Sequence, residues 1–311
     1  MKQMPAKNTL MLFLAALIWG TAFVAQQVGM DHMGPFSFSA LRCTLGGLVL
    51  IPLVFLFQKF RAPEKKAQLD WKLGILGGVC CGVVLGVASN LQQIGIQYTS
   101  VGKAGFITAL YIVIVPIFGL FLKKPNGLKL WVSVAVAVAG LYLLCMTDSF
   151  SLSRGDFYMF LCALIFSVHI LVIDYFSPKV DGVLMSCVQF FVAGALSAVG
   201  MLIWETAPGW SQITAAWLPI VYAGVMSCGV AYTFQILGQK NVNPTIASLI
   251  LSLESVISVL AGWVLLGQTM SSREITGCVL MFAAIVLAQL PERKRGDVAV
   301  PITAQEGPEE S

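Results

Sequence analysis

The 311-residue chain is poor in charge and in histidine: Asp, Glu, Lys and Arg together make up 11% of it, and His occurs twice. Soluble domains carry about 25% charged residues, so a water-soluble globule is excluded, and with it a separate catalytic or nucleic-acid-binding module. Two histidines cannot build the clusters of membrane oxidases or an HExxH pairing, and no GxSxG elbow occurs. The eight cysteines lack CxxC spacing and all fall inside apolar segments, where they read as small packing residues. No metal, no cofactor and no enzymatic activity are expected; a membrane-embedded enzyme stands as the alternative from another class.

What the chain has instead is apolar length. Hydrophobic residues make up 58% and the mean hydropathy is +0.85. A helix crossing a bilayer needs about 20 mostly apolar residues. Cutting at charged, Pro and Gly clusters predicts ten spans near residues 9–29, 36–57, 73–97, 104–122, 130–146, 156–176, 182–203, 214–238, 245–266 and 274–290. The first run has no small-x-small cleavage site and is expected to be a retained span. Connections are short, so consecutive helices are expected to be antiparallel neighbours in one bundle.

The basic residues orient the spans. With a cytoplasmic N-terminus, fifteen of the nineteen lie in cytoplasmic segments, among them Lys59, Arg61, Lys65, Lys66, Lys123, Lys124, Arg293, Lys294 and Arg295. Lys103, Arg154 and Arg273 fall on the opposite side, and Arg42 lies within the second span. The positive-inside bias therefore predicts a multi-pass protein of the cell membrane with both termini cytoplasmic. The formal charge of +4 is a topology signal rather than a nucleic-acid footprint. Residues 292–311, with Asp297, Glu306, Glu309 and Glu310 near the end, have too few apolar residues to bury and are expected to be a disordered acidic tail.

The chain also repeats itself. An offset of 143 residues brings Gly86, Val87, Ala88, Gln92 and Gly95 onto Gly229, Val230, Ala231, Gln235 and Gly238, and carries on through Ala104/Ala247, Ile107/Ile250 and Leu110/Leu253. An offset of 147 brings Ala16-Leu17-Ile18 onto Ala163-Leu164-Ile165 and Arg42 onto Gln189. The polar Gln92/Gln235 match and an offset unchanged across a loop argue for duplication. Two units of five spans follow, over 1–149 and 150–291. Five is odd, so the second unit enters the membrane from the opposite side. The expected fold is an all-α membrane protein of ten transmembrane helices arranged as two inverted-topology five-helix repeats. Such repeats carry alternating access around a site near the midplane where they meet.

Here the sequence resembles the drug/metabolite transporter superfamily, in its ten-helix EamA-type branch. The resemblance rests on Ala16-Leu17-Ile18-Trp19-Gly20, on Ala40-Leu41-Arg42 and on the stretch from Ala231 to Gly267, which includes Ala247-Ser248-Leu249-Ile250 and Leu253-Glu254. The family commonly has Glu-Pro at the last of these, where Ser255 follows here; in the first half a Pro comes later, as Pro116. The resemblance implies a secondary transporter of small metabolites, often an exporter, with a central cavity formed by both halves. Amino acids are the expected substrates, and quaternary or other cationic amines the alternative. Expected partners are the lipid bilayer, a small-molecule substrate and protons, with no nucleic acid; a monomer and a homodimer both remain open.

Several side chains are candidates for that cavity. Glu254 is the one acidic residue well inside a span, where a charge costs about 3 kcal/mol. It reads as a cavity carboxylate that contacts an amino-bearing substrate or exchanges a proton; the alternative is a protonated Glu bonded to a neighbouring helix. Its repeat mate is Tyr111, so the two suggest opposite walls of one chamber. Arg42 reads equally as a cavity cation, able to pair with Glu254, and as an interfacial anchor. Trp19, Phe23 and Gln26 share one helical stripe, which fits stacking on a ligand or plain packing. Asn90, Gln92, Gln93 and Gln97 form a polar region in span three whose amides, with Gln235, are candidate substrate contacts or helix-to-helix bonds. His169 is the one histidine inside a span and a second candidate for proton coupling, against the commoner outcome of a bonded interior histidine. Gly74, Gly78, Gly82 and Gly86 read as a packing ridge, and Trp204, Trp210, Trp217 and Trp263 as interface anchors. Pro52 and Pro116 are expected to mark kinks.

Overall fold

The computed structural model describes residues 4–60, 70–99, 101–123, 126–145, 153–266 and 271–290. The boundary expected at 149/150 and the acidic tail lie outside them. Among the described residues there is no strand; the chain runs α1 (Ala6–Met30), α2 (Pro35–Lys59), α3 (Trp71–Ile96), α4 (Val101–Thr108), α5 (Tyr111–Phe121) and α6 (Leu128–Cys145). Then follow α7 (Arg154–Phe176), α8 (Gly182–Trp204), the short α9 (Trp210–Ala215) and α10 (Trp217–Val221), a π-helical stretch over Tyr222–Ala231, α11 (Tyr232–Gln239), α12 (Pro244–Leu251), α13 (Leu253–Leu266) and α14 (Ser272–Gln289). These make ten spans, nine of them apolar over 18 residues or more and one, in α6, over the shorter Leu128–Leu143. Large apolar side chains such as Phe55, Phe121, Leu202 and Val264 point outward, as lipid demands, while backbone polar groups are satisfied inside each helix.

The fourth and ninth spans are each broken, at Ala109–Leu110 and at Ser252. The breaks are repeat mates under the 143 offset, and their bonds match: Ile112 N donates to Ala109 O at 3.0 Å, and Ser255 N to Ser252 O at 3.1 Å. Both are tight i→i+3 turns in place of α-helical bonds. Neither break falls at a proline: Pro116 lies inside α5 and Pro52 inside α2. The missing amide of a proline is absorbed locally in a helix supported by neighbours, whereas the turns lie at the centre of the bundle.

Packing follows the duplication. Helix α3 lies along α7 and α8, and its counterpart, the π stretch with α11, lies along α1 and α2; α2 meets α8, and α6 meets α14, across the centre. The α2–α8 crossing is mirrored residue by residue at the 147 offset: Gly47 faces the Phe191 ring, and Gly194 faces Thr44, the mate of Phe191. The glycine ridge of α3 packs as expected against α8, where a Cβ at Gly82 would lie 2.6 Å from Val192 Cβ and 2.7 Å from Gln189 O. Where α3 is regular helix, its mate is the ten-residue π stretch Tyr222–Ala231, a feature enriched at functional sites.

Candidate functional site

Fourteen side chains from both halves line a chamber at the centre: Trp19, Phe23 and Gln26 of α1, Arg42 of α2, Gln92 of α3, Thr108 of α4, Tyr111 of α5, Phe166 and Ile170 of α7, Ser227 of the π stretch, Tyr232 and Gln235 of α11, Leu251 of α12 and Glu254 of α13. Ten of them form five repeat-related pairs. Trp19/Phe166 and Phe23/Ile170 are related by 147; Gln92/Gln235, Thr108/Leu251 and Tyr111/Glu254 are related by 143. The chamber therefore sits on the pseudo-two-fold axis, at the level of the two helix breaks. Its free space is about 30 Å³, enough for about two water molecules, so a metabolite enters only if the walls part.

The chemistry is asymmetric where the geometry is not. Tyr111 Oη donates to Glu254 Oε1 at 2.9 Å, and Glu254 is 5% exposed. Arg42 is 3% exposed, and its Nη1 donates to Gln26 Oε1 at 2.9 Å. Gln93 Nε2 in turn donates to Gln26 O at 3.2 Å. Arg42 and Glu254 thus line one chamber without forming the ion pair considered from sequence. Two donors on chamber-lining residues are buried without partners, Arg42 Nε and Trp19 Nε1. A buried donor without an acceptor costs about 1–3 kcal/mol, which a bound acceptor would recover. Trp19 packs on Tyr232 with ring centroids 4.5 Å apart, giving the chamber an aromatic wall.

Of the sequence candidates, Glu254, Tyr111, Trp19, Gln92, Gln235 and Arg42 meet in this chamber, and so do Phe23 and Gln26. Asn90 and His169 do not. Asn90 lies one turn beyond Gly86 on the face turned to α8, where Nδ2 donates to Gly86 O and Ser197 Oγ. His169 Nε2 bonds Gln189 Oε1 at 3.2 Å between α7 and α8, with the Tyr232 ring packed edge-on at 6.0 Å. Gln97 is exposed at the end of α3. Sequence reasoning missed Thr108, Phe166, Ile170, Ser227, Tyr232 and Leu251; the 147 offset applied to Trp19 and Phe23 gives two of these, Phe166 and Ile170, directly.

A pseudo-symmetric bundle of helices with a small, two-signed chamber on its axis defines the class: a helical membrane transporter built from two repeats. The model of the EamA-like transporter family matches the chain twice, over residues 7–146 and 153–290, and the chain belongs to that family. An uncharacterized transporter of Archaeoglobus fulgidus is 28% identical over 280 residues, covering 90% of this chain and 84% of its own length. The uncharacterized inner membrane transporter YedA of Escherichia coli is 22% identical and covers 90% of this chain and 89% of its own. A chain of known crystal structure superposes with a TM-score of 0.72 at 22% identity, covering 90% of this chain and 96% of that one, which supports the fold.

Proposed function

We propose that this protein is a secondary carrier of small organic metabolites, amino acids foremost, that works by alternating access around the central chamber and runs as an exporter from a cell membrane with both termini in the cytoplasm. One observation carries the substrate class: Arg42 and Glu254 line the same chamber, and each is bonded to a neutral neighbour rather than to the other. A zwitterion matches that arrangement, with its carboxylate on Arg42 and Trp19 Nε1 and its ammonium on Glu254. A purely cationic amine would be drawn to Glu254 and the Trp19–Tyr232 wall, but would meet the uncompensated Arg42. Glu254 is also the group that exchanges a proton for substrate, since a carboxylate left alone in a dry chamber needs one charge to replace another. Rocking of the two repeats about the chamber exchanges its access, in line with inverted-repeat carriers generally.

The test uses purified protein and proteoliposomes. Neutral L-amino acids and choline are screened for thermal stabilisation, and radiolabelled hits are then followed in counterflow. The expected result is stabilisation by at least one neutral amino acid, lost in Arg42→Ala, with Glu254→Gln removing the pH dependence of transport. Stabilisation by choline alone, or amino-acid binding indifferent to both substitutions, overturns the reading.

A further inference from the structure

The α2–α8 crossing that the 147 offset relates so closely is broken in its symmetry at one end. Helix α8 is preceded by Asp181, whose carboxylate caps it by accepting from Val183 N at 2.8 Å and Leu184 N at 3.0 Å. The repeat mates of those amides are Phe36 N and Ser37 N at the start of α2, and the mate of the capping Asp181 is Gly34. A glycine has no side chain to cap with. The two amides are instead taken by Glu205, the first residue beyond α8 and thus part of the other repeat: Oε1 accepts from Phe36 N at 2.8 Å, and Oε2 from Ser37 N at 2.9 Å and Ser37 Oγ at 2.6 Å.

Gly34 also makes the room. A Cβ at this position would overlap the Glu205 carboxylate, so Asp or Ser, the usual caps, would expel it. At the mate of Glu205 the chain has Gln58, which carries no charge. One end of the central crossing, the end away from the chain termini, is therefore tied between repeats by a carboxylate holding three donors. At the other end the corresponding amides are capped within a single repeat.

We propose that Glu205 is a latch that holds the chamber shut towards the face opposite the termini. The proposal rests on the alternating-access reading. Three bonds from one carboxylate to a helix N-terminus are charge-assisted and gain from the helix dipole. They must be released before the two repeats can part at this face. The resting protein therefore favours the conformations in which this face stays closed.

Hydrogen exchange on the full chain in lipid nanodiscs tests this without a substrate. Glu205→Ala is expected to speed exchange at least about tenfold, the weight of one charge-assisted bond, in the first turn of α2 and also in the two chamber breaks, 108–111 and 251–254. The pair Gly34→Asp with Glu205→Ala rebuilds a cap inside α2: the first turn of α2 is expected to slow again while the chamber breaks stay fast. Chamber breaks unchanged in Glu205→Ala, or slowed again in the pair, would mean that Glu205 only caps a helix, and the latch is then discarded. Failure here leaves the transport assay untouched, and failure of transport leaves this readout standing.

Discussion

Tyr111 and Glu254 occupy the same position of two repeats, 143 residues apart, and are hydrogen-bonded to each other at 2.9 Å. A residue touches its own repeat mate only on the axis that relates them. The pair therefore fixes where the axis runs, and it puts a phenol and a carboxylate where perfect symmetry would put two identical groups.

Removing the donor of this pair should hurt more than neutralising the acceptor. Tyr111→Phe leaves a buried carboxylate without its hydrogen bond, which costs about 1.5–3 kcal/mol for a bond to a charged group. Glu254→Gln keeps an acceptor for the phenol and should cost less than about 1 kcal/mol. Thermal unfolding of both variants in one detergent gives the order; equal or reversed losses would show that the bond does not hold the two helix breaks together.

Trp19→Phe should separate binding from folding. The indole N–H has no partner, so stability should change by less than about 1.5 kcal/mol, as for a conservative core exchange, and the repeat mate Phe166 already has this side chain. Ligand-induced stabilisation by an amino acid should fall at least about fivefold in affinity. Titration of the thermal shift measures both, and unchanged affinity would take the indole out of carboxylate binding.

His169 and Gln189 should behave as a coupled pair. Each is fully buried and keeps one unpartnered nitrogen, Nδ1 and Nε2. His169→Leu or Gln189→Leu alone strands the other partner, at about 1–3 kcal/mol, whereas both together remove the polar groups and should cost less than the sum. A double-mutant cycle by chemical unfolding reads the coupling. A proton relay through His169 predicts in addition that the pH dependence of transport changes in His169→Leu; a static bond predicts that it does not.

Gly82→Val should be among the most damaging single changes in α3. Its Cβ would meet Val192 Cβ at 2.6 Å and the backbone at Gln189 O at 2.7 Å, a clash neither side can relieve by rotating, worth about 2–3 kcal/mol or more. Gly105→Ala is the control: its nearest neighbour is the movable Ser258 Oγ at 3.3 Å. Yield and thermal midpoint of the two variants should differ plainly, and a stable Gly82→Val would mean that the α3–α8 ridge is not tightly closed.

Much of this architecture was legible because lipid enforces simple rules. Span positions came out within a few residues, since apolar length is what a bilayer selects, and the one late start, Trp217 rather than 214, comes from the short α9 that precedes it. The repeat was legible through Gln92 and Gln235, polar groups that a membrane keeps only for a reason. The helix breaks were not: Ala109, Leu110 and Ser252 carry no breaking signal, and Pro116, which does, breaks nothing. Nor was the π stretch Tyr222–Ala231, whose repeat mate in α3 is regular helix. Asn90 misled because the ridge glycines on its face turn it to α8, and sequence spacing alone does not say which neighbour a face will meet. Tyr232 was passed over because its mate is Ser89, and a search for matched pairs cannot find a residue that one repeat has enlarged.

The two mid-span turns have a mechanical effect. A continuous rod that crosses the whole bilayer must tilt as a unit, so an opening at one surface drags the other surface with it. Rods jointed at their centres, as α4–α5 and α12–α13 are, let the segment beneath one surface swing while the segment beneath the other keeps its seat. With a joint in each repeat, the protein owns four short levers instead of two long ones, and the proposed alternating access would then let either doorway be worked without unsealing its opposite.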